Sequence, residues 1–190
     1  MTPNMDTQNK WNAILYAGTL LISLVAVVGS LWLSIGMNLK ACPLCLYQRS
    51  FVMGTAAVLL MGLITKTYRR KCSLLAVLSL PLASAGLAIA AFHVYLEFSG
   101  KLECPLGMMG LGTAPQQSFT ILLVLVLALL VQGIKVMGGG GNSNFVLPVA
   151  MVLGCLVAYA CIVSAPSLPK VPDKAYESPL DTCRPPFPAK

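Results

Sequence analysis

From Trp11 to Leu39 the chain carries no charged side chain, and that run, closed by Lys10 and Lys40, exceeds the roughly 20 apolar residues a bilayer core requires. Four more such stretches follow. Phe51 to Thr65 is uncharged, extends back through Leu46 to Ser50 with Arg49 near the membrane surface, and stops at a basic knot of Lys66, Arg69, Arg70 and Lys71. Ser73 to Leu96 ends at Glu97 and holds His93 near its far end. Pro81 inside it is tolerable where neighbouring helices resatisfy the freed carbonyl. Ser118 to Ile134 is closed by Lys135, Gly138 to Gly141 with Asn142 to Asn144 make a flexible turn, and Phe145 to Ala165 is the last apolar stretch. Beyond it, prolines from Pro166 to Pro188 leave an extended or polyproline tail.

The expectation is an all-α membrane protein: one transmembrane domain over residues 1–165, with spans at about 11–37, 47–65, 73–96, 118–136 and 145–165, and a Pro-rich tail over 166–190. The first stretch is longer than the apolar core of a signal peptide and shows no A-x-A cleavage pattern, so it stays as span one. Composition agrees, since 57% hydrophobic and 10% charged residues cannot coat a water-soluble domain, and short loops leave no room for a separate one. The 13 Lys/Arg against 6 Asp/Glu are scattered and form no basic stripe with interleaved aromatics, which points to membrane anchoring and not to nucleic acid.

Five spans put the amino terminus, the basic knot and the glycine turn on one side, and residues 40–49, 97–117 and 166–190 on the other. With the distant tail residues Lys174, Arg184 and Lys190 discounted, the basic residues stand 6 against 4, a mild preference for a cytoplasmic basic knot. The cysteines sort in the same way. Cys42 and Cys45, in Cys-Pro-Leu-Cys, share a side with Cys104 and Cys183; Cys72 lies beside the basic knot, and Cys155 and Cys161 lie within span five. The last three read as structural, small apolar side chains.

Two cysteines separated by two residues at a helix start can close a small disulfide, and helix amide dipoles stabilise a thiolate at the second position. Arg49 lies one turn beyond Cys45, where its guanidinium favours the anionic sulfur; its other reading is a snorkelling anchor at the interface. His93 on the cysteine side reads equally as a site residue or as an interhelical hydrogen bond. The alternatives for the four same-side cysteines are a structural zinc site, which one close pair and two distant singles support only weakly, and spacings with no shared site.

The run Cys42-Pro43-Leu44-Cys45-Leu46-Tyr47-Gln48-Arg49 after span one, Phe92-His93-Val94-Tyr95-Leu96 ending span three, and Cys104 beyond closely resemble the DsbB family of bacterial thiol:quinone oxidoreductases over about residues 10–135. The vitamin K epoxide reductase family has similar chemistry but the opposite order of motif and loop cysteines. The DsbB resemblance implies a four-helix transmembrane bundle core, here with an added fifth span and an extracytoplasmic tail, in a multi-pass protein of the bacterial inner membrane. The amino terminus would be cytoplasmic, and the redox cysteines and tail periplasmic. It implies a quinone, ubiquinone or menaquinone, drawn from the membrane pool and lying beside Cys45 and Arg49 with His93 near the same ring. Cys42 would exchange with a second disulfide, and Cys104 would form a mixed disulfide with a periplasmic thioredoxin-fold oxidase, DsbA-like.

One departure stands out. Family members usually carry both cysteines of the second disulfide in the loop between spans three and four, where this chain has only Cys104. Because span five returns the chain to that side, the tail can supply Cys183 as the partner of Cys104. The alternative leaves Cys104 without a lasting partner and Cys183 bonded to another chain. The function implied is reoxidation of the soluble oxidase, with electrons passing through Cys104/Cys183 to Cys42/Cys45 and on to quinone in support of disulfide formation. The same parts can run in reverse, and the competing class is a non-enzymatic scaffold or zinc-binding membrane protein.

Overall fold

In the computed structural model of the chain, residues 5–137, 143–166, 176 and 179–187 are described. They form α1 (Met5–Ile35), α2 (Pro43–Ile64), α3 (Tyr68–Phe98), a 3₁₀ turn at Met108–Gly110, α4 (Ala114–Met137) and α5 (Ser143–Ser164). Among the described residues, five helices are long and apolar enough to cross a membrane. The protein is an all-α, multi-pass membrane protein. The glycine turn expected at Gly138 to Gly141, and the tail prolines Pro169, Pro172 and Pro188, lie outside the described residues.

Helix faces show what solvates them. Trp11, Leu21, Val28 and Trp32 on α1 and Val152, Leu156, Tyr159 and Val163 on α5 are each more than half exposed, a continuous apolar exterior that suits lipid and not water. The bundle is centred on α3, which packs against α2, α4 and α5, while α1 lies against α2 and α4. Its core is built from Leu80, Ala83 and Ala90 of α3 with Leu122, Leu125 and Leu129 of α4, all close to fully buried. Hydrocarbon solvates apolar side chains as well as a protein interior does, so close approach of small residues holds such helices together. Gly154 is the clearest case: a Cβ there would collide with Ser84 Oγ and the Pro81 carbonyl, so α5 lies directly on the Pro81 turn of α3.

Among the helix boundaries that differ from expectation, the two flanking the cysteine motif bear on the site. Helix α2 begins at Pro43, not near residue 47, because Cys42 is extended (φ −71°, ψ 163°) and caps the helix, while Pro43 follows at a position where its missing N–H costs nothing. Helix α1 ends at Ile35, two residues before the expected limit, in a turn where the Gly36 and Met37 amides both reach the Trp32 carbonyl. These shifts place Cys42 and Cys45 astride the helix start.

The 99–113 connector is clamped. Gln117 of α4 accepts from Met108 N at 2.9 Å and donates to the carbonyls of Met108 and Leu111 at 2.8 Å each. Gly110 (φ 68°) and Gly112 (φ 73°) take left-handed backbone conformations that turn the connector back on itself. The tail segment 179–187 joins the same end of the bundle. Glu103 and Arg184 exchange backbone hydrogen bonds of 2.7 and 3.0 Å, and Lys40 N donates to the Asp181 carbonyl at 2.8 Å. Lys40 Nζ also pairs with Asp181 Oδ2 at 2.8 Å, and that hydrogen bond holds the Asp181 carboxyl below its ordinary range.

Candidate redox site

The α2 start sets the first pair of sulfurs. Cys42 Sγ and Cys45 Sγ are free and 2.8 Å apart, and Cys45 N donates to Cys42 Sγ at 3.3 Å. The sequence reading put the helix amides at the second cysteine. Because Cys42 itself is the capping residue, the amide points at its sulfur instead, and charge collects there. Hydrogen bonding with Cys45, then with His93, holds the Cys42 thiol well below its ordinary range despite its burial.

The second pair is a disulfide between Cys104 of the connector and Cys183 of the tail, with Cα atoms 4.2 Å apart. The tail therefore reaches the connector within one chain, held by the Glu103–Arg184 bridge beside it.

His93 lies between the two pairs, completely buried on α3. Its Nε2 is 3.8 Å from Cys42 Sγ and 3.5 Å from Cys104 Sγ. Its Nδ1 is 3.3 Å from the Gln48 carboxamide nitrogen, and Gln48 is itself buried. Gln48 lies within the Cys42–Arg49 run, where the motif alone assigns it no role. The available signal was spacing: Gln48 is three residues beyond Cys45 and so shares its helix face.

Arg49 turns the other way, toward α1. It donates from Nε to Ser30 Oγ (2.8 Å) and from Nη2 to the Ser30 carbonyl (2.8 Å) and Ser34 Oγ (2.6 Å), and no acceptor for Nη1 occurs among the described residues. A charge within the hydrocarbon costs about 2.5–3.5 kcal/mol on lenient scales, and these hydrogen bonds offset part of it. Neither serine was singled out by sequence, since nothing local ties residue 49 to residues 30 and 34.

A cleft lies between α1, α2 and α4 at this end, with about 910 Å³ of empty space counting the part open to the outside. Cys45, Gln48, Arg49, Ser30 and Cys183 contribute to its otherwise largely apolar wall, and Met108 of the clamped connector closes one side. Its size and lining suit an apolar ligand with a few polar atoms. His93, expected beside the same ligand, is not part of this wall; its ring is turned toward the sulfurs.

The remaining cysteines belong to neither pair, although Cys161 packs against the apolar cluster around those pairs. Cys72 is buried at the opposite end, where it accepts from Gln132 Nε2 at 2.7 Å and burial pushes its thiol up. Cys155 is exposed on the outer face of α5, and Cys161 is half-buried.

The family model for disulfide bond formation protein DsbB matches residues 12–165, most of the chain. The chain belongs to the DsbB family. It is 33% identical over 78 residues to disulfide bond formation protein B 2 of Burkholderia lata, covering 41% of this chain and 45% of that one. It is 30% identical over 89 residues to disulfide bond formation protein B 1 of Pseudomonas fluorescens, covering 47% of this chain and 52% of that one. A probable disulfide formation protein C 1 of Bacillus anthracis is 36% identical over 75 residues, covering 40% of this chain and 50% of that one. The chain thus spans about half the length of these relatives. No solved structure matches. The resemblance read from its motifs is upheld.

Proposed function

We propose that this DsbB-family protein is a thiol:quinone oxidoreductase that reoxidises a soluble thioredoxin-fold dithiol oxidase. Its cysteine end would face the periplasm and its amino terminus the cytoplasm of a bacterial inner membrane. The observation that carries this reading is that one buried imidazole contacts both cysteine pairs, 3.8 Å from Cys42 Sγ and 3.5 Å from Cys104 Sγ.

Thiol–disulfide exchange needs a thiolate aimed at a disulfide and a leaving sulfur that can accept charge. A partner dithiol attacks Cys104–Cys183, its thiolate bonding one sulfur while the other leaves; its second thiolate completes the exchange, so the partner leaves as a disulfide. The Cys104/Cys183 dithiol then reduces a Cys42–Cys45 disulfide by the same two displacements, and two electrons move inward. His93 can take a proton from an attacking thiol and return it to a leaving thiolate, since its Nε2 reaches a sulfur of each pair.

The cleft fits a quinone: its wall is largely apolar and includes Cys45 and Arg49, whose Nη1 has no acceptor among the described residues and can donate to a carbonyl oxygen. When bound there, a quinone supplies an acceptor for two electrons and two protons. Arg49, fixed by Ser30 and Ser34, would orient it, and Met108 would shield that side from water. With Cys42 and Cys45 free and Cys104 bonded to Cys183, the arrangement corresponds to the stage before the inner dithiol is discharged.

The test is a nanodisc assay with a reduced thioredoxin-fold oxidase and short-chain ubiquinone or menaquinone analogues, following quinone loss and partner disulfide together. One quinone should disappear per partner disulfide, and Cys42→Ser or Cys45→Ser should abolish both. Turnover persisting in either variant would remove the relay. A reporter fused to each terminus tests the orientation independently.

A further inference from the structure

The donor atoms around His93 do more than line up two cysteine pairs. Cys42 Sγ, Cys45 Sγ, Cys183 Sγ and a ring nitrogen of His93 all lie within 4.8 Å of one another. We propose that once the Cys104–Cys183 bond is reduced, this cluster is a Cys₃His site for a thiophilic divalent cation, Zn²⁺ by its chemistry, so that the protein captures metal only in its fully reduced state.

A tetrahedral zinc centre has bonds of about 2.3 Å to sulfur and 2.0 Å to nitrogen, which sets its donor atoms about 3.3–3.8 Å apart. Cys42 Sγ and His93 Nε2 already stand at 3.8 Å, while Cys42 Sγ and Cys45 Sγ open from 2.8 Å by about 1 Å and the widest pair closes by no more than about 1 Å on binding. A ligating imidazole presents a lone pair at one nitrogen while the other holds its proton against an acceptor. Turning the Gln48 amide brings its oxygen to Nδ1 in place of the nitrogen now at 3.3 Å, and so leaves Nε2 free to ligate. Entry is available through the cleft, whose wall includes both Cys45 and Cys183. Arg49, one turn beyond Cys45, offsets the net negative charge of three thiolates around a divalent ion.

The gate is covalent. While Cys183 is bonded to Cys104 its sulfur is no thiolate donor, and the remaining Cys42, Cys45 and His93 leave the coordination open. A phosphine reductant opens the bond with balanced chemistry: phosphine, disulfide and water give phosphine oxide and two thiols. Metal binding then replaces the protons of the three ligating thiols. The site itself is independent of the electron relay. Its consequence, arrest of exchange because a member of each pair is tied to one ion, rests on the proposed function.

The experiment uses the full chain in nanodiscs, free of quinone and partner, with Co²⁺ as the optical probe and Zn²⁺ as the competitor. Phosphine-reduced protein should bind one Co²⁺ per chain, with intense visible bands of tetrahedral coordination and a thiolate charge-transfer band, both displaced by Zn²⁺. The non-reduced chain should lack this spectrum. Cys104→Ser, which leaves Cys183 permanently free, should show it without opening of that bond, and Cys104→Ser/Cys183→Ser should lose about one third of the charge-transfer intensity with weaker binding. Gln48→Leu should weaken binding about 10- to 100-fold. Absence of the bands from both the reduced chain and Cys104→Ser, or an unchanged spectrum in the double variant, would overturn the proposal. Quinone turnover of metal-free protein, measured on the same preparation, shows whether the relay stands or falls separately.

Discussion

The Gln48 carboxamide reaches Nδ1 of His93 at 3.3 Å across the contact between α2 and α3, and both side chains are buried. That contact fixes the ring plane, and with it the nitrogen that meets the two sulfurs.

Gln48→Leu is therefore expected to slow exchange between the pairs about 10-fold or more while leaving the Cys104–Cys183 bond able to form. Rapid-quench alkylation separates the steps: loss of the inner disulfide should lag, while reaction of the outer disulfide with the partner should not. Equal rates in wild type and variant would show that the imidazole needs no such support.

Arg49→Ala should raise the Michaelis constant for a short-chain quinone about 10- to 100-fold, the scale of a lost hydrogen bond to a charged donor. Arg49→Lys should recover little of this, because a single ammonium cannot satisfy Ser30 and Ser34 while offering another donor to a ligand. An unchanged Michaelis constant in both variants would return Arg49 to the role of a surface anchor.

Cys42 in the reduced, metal-free chain should be alkylated at pH values where ordinary thiols are inert. Its folded-state pKa is depressed from 9.0, so the thiolate persists as pH falls below that value and is lost only as pH falls through the lowered one. The linked stabilisation of the reduced form has the same sign, fully present above pH 9.0 and decaying on the acid side. His93→Ala should move the alkylation profile upward, and a profile centred at the ordinary thiol value in the unaltered protein would contradict the capping geometry.

Cys183→Ser leaves Cys104 without its resolving partner and should accumulate a mixed disulfide with the soluble oxidase, visible on a non-reducing gel. Normal turnover without that adduct would show the tail cysteine to be dispensable.

Gly154→Leu should destabilise the bundle by about 1–3 kcal/mol, since even a Cβ meets Ser84 Oγ and the Pro81 carbonyl. Because Ala158 on the same helix packs with the Cys42 and Cys104 cluster, partner turnover should fall as well. A denaturant series in mixed micelles measures the first effect and the nanodisc assay the second.

The span pattern was legible because membrane solvation is a local requirement. A run such as Trp11 to Leu39 satisfies it by composition, and five runs alternate the connecting segments between two sides whatever the packing. The Cys-x-x-Cys spacing near a helix start was legible for the same reason, although the helix amide expected at Cys45 serves the capping Cys42 instead. The exact start of α2 was not, because an apolar count cannot see a cap.

Sequence by itself determined the number of crossings, the side on which Cys42, Cys45, Cys104 and Cys183 gather, and the presence of one histidine near them. Only the tertiary structure decided that His93 faces the sulfurs and not the cleft, that Gln48 holds it, that Arg49 is tied to Ser30 and Ser34, and that the tail docks on Lys40 and Glu103. Each of these joins residues far apart in the chain through a specific helix rotation or loop closure, and such contacts arise from packing of whole elements, which no local stretch encodes.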